Sequence, residues 1–92
     1  MLDKETLLKV LTEVYQRAQT DELVNTIKDA INDFNVRILM QTMMDLHKKV
    51  LEEMGYDGMD GLMDCMEAID RFIDDEEIMG MVIAIRKIFG QE

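Results

Sequence analysis

Ninety-two residues are enough for one modest core. Proline is absent, glycine is scarce and aromatics are few, a composition that favours helix over sheet. A net charge of −10 argues against direct binding to nucleic acid or to an anionic membrane, and an apolar share of 48% argues against disorder. The single Cys65 excludes an internal disulfide and suits a reducing compartment. Met1-Leu2-Asp3-Lys4-Glu5 does not read as a secretory signal, and the longest uncharged apolar run, Ile78 to Ile85, is too short to span a bilayer. A cytoplasmic protein is expected.

The first helix is expected to start at Asp3, whose carboxylate can cap the free amides of the first turn. Leu7, Leu11, Val14 and Ala18 follow at helical spacing, with Leu8 and Tyr15 widening the stripe. The stripe breaks at Gln19 to Glu22, where Thr20 or Asp21 can cap a second helix. That helix carries Leu23, Val24, Ile27, Ala30, Ile31 and Phe34 on one face. Asn32 to Asn35 then supports two readings. Either a turn falls near Asp33–Asn35, or one helix of roughly 50 Å runs from Asp21 to Met54 with two apolar faces. No Gly or Pro enforces the break, and the turn is the favoured reading.

Helix three places Val36, Met40, Met43, His47, Val50 and Met54 in one stripe, with Met44 and Leu51 beside it, and Gly55 ends it. Helix four opens at Asp57 or Gly58. Its expected buried face is Met59, Leu62, Met63, Met66, Ile69 and Ile73, with Asp57, Asp60, Asp64 and Glu67 opposite. Asp74 is the expected cap of the last helix, with Glu77 as its capping-box acid, and Gly90 stops that helix. The last helix is apolar nearly all round. Ile78, Met81, Val82, Ile85, Ile88 and Phe89 share one face, Met79 and Ile83 a second, and Gly80 and Ala84 a third. Such a helix is expected to be central, or to be covered by a partner. The chain therefore reads as a single all-α domain over residues 1–92, a small bundle of four to five helices expected to close as a helical homodimer through its last helix.

Catalytic and metal constellations are not visible. Asp57-Gly58-Met59-Asp60-Gly61-Leu62 lacks the ligand order of a calcium loop, and the lone His47 cannot build a carboxylate–histidine or zinc site with Cys65 alone. His47 falls inside the apolar stripe of helix three and Asp70 inside the apolar arc of helix four. A buried contact between them is the sharper reading, and backbone or solvent partners are the plainer one. No enzyme, cofactor or metal is expected. Methionine crowds the second half of the chain, a residue suited to core gaps and to adaptable binding surfaces alike. The expected function is a non-catalytic protein–protein interaction module with a Met-rich apolar surface. Its candidate contact residues are Met79, Ile83, Gly80, Ala84, Met40 and Met44. The alternative is an acidic inhibitor, of the immunity or nucleic-acid-mimicking kind, that blocks a basic partner surface through Asp57, Asp60, Asp64 and Glu67.

Overall fold

The computed structural model describes residues 2–90 and contains five helices: α1 (Lys4–Arg17), α2 (Asp21–Asn32), α3 (Val36–Glu53), α4 (Gly58–Arg71) and α5 (Glu76–Ile88). No strand occurs among the described residues, so the fold is a small all-α bundle.

Most helix boundaries follow from their caps. Asp3 accepts a hydrogen bond from the Thr6 amide at 2.8 Å, Asn35 from Ile38, and Asp57 from Met59 and Asp60. The last helix is capped by Asp75, not Asp74: its carboxylate accepts from the Glu77 and Ile78 amides. Asp75 can do this while also pairing with Lys4 at 2.9 Å, so one carboxylate fixes the start of α5 against the start of α1. Those partners, Lys4 first and then the Ile78 amide, hold the Asp75 carboxyl below its ordinary value. At the other end of α1, Arg17 forms two parallel bonds of 2.7 Å to Glu53 of α3 and a third of 2.9 Å to Glu13.

The chain turns between α2 and α3 and does not continue as one long helix. The Phe34 amide donates to Ile31 and the Asn35 amide to Ala30, the paired reverse bonds of a helix ending on a left-handed residue. That residue is Phe34, at φ 53°, where glycine is the usual occupant. The same pair of bonds ends α3, from Gly55 to Glu52 and from Tyr56 to Leu51, with Gly55 at φ 93°.

The centre of the bundle is formed by α1 and α3, not by α5. α1 packs against α5, α3 and α4, and α3 against α4, α1 and α2, whereas α5 packs chiefly on α1 alone. Leu7, Val10, Leu11, Val14 and Ala18 are all sealed from solvent. Against them lie Ile78, Val82, Ile85 and Phe89 of α5, and Leu39, Leu46, Val50 and Leu51 of α3, in one continuous core. Of the two expectations for α5, central or covered by a partner, the first is removed: α1 covers one face and the rest stays partly open.

The inward face of α4 also differs from expectation. Leu62, Cys65 and Ala68 are buried with Gly61, and Ile69 is half-buried, whereas Met59, Met63, Met66 and Ile73 are each 59–60% exposed. The apolar arc of α4 is wider than its neighbours can cover. Small residues face inward because α4 approaches closely: a Cβ on Gly61 would lie 3.1 Å from the Tyr56 Cβ and 3.5 Å from the Leu51 Cβ. The large methionines are left at the outer edge.

Candidate interaction surface

α3 and α4 supply most of the exposed apolar surface. On α3, Leu51 is buried beside Gly61 of α4. Met44 and Met40 stand seven and eleven residues earlier, within about 20° of the same face. Yet both are exposed, as is Val36, so this apolar face of α3 continues beyond the part that α4 shields. The result is an open groove of about 570 Å³ along α3, lined by Val36, Met40, Met44 and Met59 and rimmed by Arg37, Asp45 and Lys48. On α4, Met59, Met63 and Met66 stand at positions i, i+4 and i+7 and form a second, continuous strip.

Of the residues the sequence singled out for contact, Met40 and Met44 do lie exposed on this surface. The others are on α5. Ile83 is 48% exposed and Gly80 is open, since a Cβ there would meet nothing within 4 Å. Ala84 is half-buried, and Met79 is packed against the core rather than left over. The α5 strip is thus narrower than expected. Met59, Met63, Met66 and Ile73 were assigned to the core from their size and spacing and instead belong to the outer surface. Val36, Met54, Ile31 and Phe34, members of the apolar stripes of helices two and three, are exposed as well, Phe34 at 88%. The available signal was breadth: the apolar arc of α4 is too wide for a helix with two neighbours.

The acidic residues fall beside the methionine strip. Asp60 and Glu67 are exposed and Asp64 is half-buried, and among the described residues no ion pair reaches any of the three. Asp57 leaves this row, because its carboxylate is occupied in capping α4.

The chemistry-bearing side chains do not meet. His47 Nδ1 donates to the Met43 carbonyl of its own helix at 2.7 Å, Asp70 is exposed on α4, and no ion pair joins them among the described residues. A carbonyl can only accept, so Nδ1 carries the proton. Burial holds the imidazole below its ordinary pKa of 6.5, with the Met43 bond acting in the opposite direction. The unfolded chain therefore takes up this proton at a higher pH than the folded one. Stability is expected to fall as pH drops below 6.5 and to stop falling, for this group, below the folded-state pKa. Urea titrations between pH 7 and pH 5 should show that slope in the wild type and a flatter one in His47→Gln; equal slopes would exclude His47 as its source. Cys65 is buried, and burial pushes its thiol up to about 11. No cluster of three metal-ligating side chains occurs among the described residues, and no helix there is long and apolar enough to cross a membrane.

Comparison with known protein families, with curated proteins and with solved structures finds no match.

Proposed function

We propose that this chain is a non-catalytic protein-interaction module that docks a partner on the methionine face of α3 and α4. The observation carrying this reading is the α4 strip. Met59, Met63 and Met66 are each more than half exposed, in a helix whose inward positions are filled by smaller residues. Contiguous exposed apolar surface marks binding sites, and flexible thioethers adapt to a partner's shape. Phe34 adds support. A bulky side chain in the left-handed region costs conformational energy, and this one is almost fully in solvent, where it returns no packing to the fold. A non-catalytic role fits the raised Cys65 thiol and the His47 ring bonded to its own helix, and the lone cysteine fits the cytoplasm.

The test is affinity capture from a lysate of the native host by the wild type and by a Met63→Lys/Met66→Lys variant shown to be folded. Proteins retained by the wild type and lost by the variant are expected. Identical retention by both would sink this surface as the docking site.

One observation favours the acidic alternative: Asp60, Asp64 and Glu67 have no ion-pair partner among the described residues. In that reading charge alone captures a basic surface, so capture is lost in high salt, whereas apolar docking survives it. Charge reversal at all three positions is expected to lower stability by no more than about 1 kcal/mol, most of it from Asp60 in the first turn of α4, because unpaired surface charges contribute little to the fold. A folded reversal variant that retains every partner would remove the acidic reading.

Self-association through α5 is a separate proposal. Its first turn carries Glu76 and Glu77 and its last turn Arg86 and Lys87, so two antiparallel copies would set acid against base with Ile83 between them. Sedimentation equilibrium decides it. A dimer mass that reverts to monomer in Ile83→Glu supports the contact, and a monomer mass at micromolar concentration excludes it.

A further inference from the structure

The methionine face also carries information about what it binds. Around α4 the strip Met59, Met63, Met66 spans about 60° of the wheel, and Asp60, Asp64 and Glu67 occupy the next sector on one side; the two rails run over residues 59–67, since in the last turn the exposed Asp70 enters the methionine arc and the exposed Arg71 the acidic one. A ligand lying along this helix meets an apolar rail and an acidic rail in parallel. The acidic rail is uncompensated by any ion pair among the described residues, on a chain of net charge −10. We propose that the occupant is a cationic amphipathic α-helix of another protein, its apolar stripe on Met59, Met63 and Met66 and its basic flank on Asp60, Asp64 and Glu67. This rests on the reading of the methionine face as a docking surface.

The helical form follows from what the surface offers. An extended peptide adds to a sheet edge, and no strand occurs among the described residues. A proline-rich segment needs an aromatic-lined groove, and the α3 groove has no aromatic lining. Anchors at i, i+4 and i+7 are the spacing one helix presents to another, and α4 extends about 20 Å, matching a ligand helix of roughly 14 residues. A second copy fits this face poorly. Stacking two such faces antiparallel sets acidic rail beside acidic rail; stacking them parallel puts the rails on opposite edges but supplies no basic rail to either, at −10 on each chain, and like charges brought together cost affinity.

Three synthetic peptides of about 16 residues, long enough to span α4, share one Leu stripe and carry Lys, Gln or Glu on the flanks. Their affinities for the full chain are read by fluorescence anisotropy. The Lys peptide is expected to bind about tenfold tighter than the Gln peptide and about a hundredfold tighter than the Glu peptide, with the difference shrinking as salt rises from about 50 to about 500 mM. Met63→Gln/Met66→Gln should weaken the Lys and Gln peptides by about tenfold or more. Asp60→Asn/Asp64→Asn/Glu67→Gln should bring the Lys peptide to the level of the Gln peptide without moving the latter. If Lys and Gln peptides bind equally, the cationic partner is overturned while the docking face stands. If neither binds, or the Met substitutions change nothing, both fall. A dimer dispersed by Met63→Gln/Met66→Gln would overturn the proposal in favour of a second copy.

Discussion

Leu11→Ala is expected to lower the unfolding free energy by about 2–5 kcal/mol. Leu11 is 1% exposed in α1, which packs against α5, α3 and α4. Truncation there leaves a cavity whose walls belong to separate elements, so no single helix can shift to fill it. Urea unfolding followed by circular dichroism should show a lower midpoint with an unchanged slope. Met63→Ala is the matched control: it removes a side chain of similar size from the surface, and the change should stay within about 0.5 kcal/mol. If the two substitutions cost the same, α1 is not at the centre of the bundle and α4 buries its methionines after all.

That pair of substitutions also marks where the sequence stops being informative. Helix starts were legible where an acid acts on amides two or three residues away, at Asp3 and Asp57, while the start of α5 was read one residue early, at Asp74 instead of Asp75. There adjacent acids were ambiguous: Asp74 and Asp75 can each serve the start of α5, and the pairing with Lys4, a long-range contact, favours Asp75. The inward face of α4 was not legible. Gly61, Cys65 and Ala68 carry little apolar weight on a helical wheel, so the methionines dominated the pattern, yet close approach rewards small residues. The same bias drew attention to α5, whose apolar circumference is conspicuous, over α1, whose buried face is bounded by charges. The break at Phe34 was visible as the turn-forming Asn32, Asp33 and Asn35 and a change of face, with no glycine at the left-handed position to enforce it. The candidate surface was half legible. Met40 and Met44 could be named from composition, but exposure of Met59, Met63 and Met66 depends on how closely α4 approaches its neighbours, a property of the packed molecule and not of any local segment.

Phe89→Ala is expected to cost about 3–5 kcal/mol, enough to unfold a marginal domain of this size. Phe89 caps the last helix and is fully buried, while Gly90 beyond it turns at φ 71°. A Cβ on Gly90 would come within 3.2 Å of the Ile31 side chain, so the end of α5 meets the end of α2. The phenyl ring therefore anchors the end of a helix whose main neighbour is α1. Phe34→Gly should act in the opposite direction. It releases a left-handed strain of about 1–2 kcal/mol and returns about 0.5–1 kcal/mol as added freedom of the unfolded chain, for a net gain near 0.5–1 kcal/mol. Thermal melts of the two variants should thus move apart from the wild type, Phe89→Ala downward and Phe34→Gly slightly upward. A fall in stability for Phe34→Gly would mean that the exposed ring supports the fold, and would withdraw it as support for a binding role.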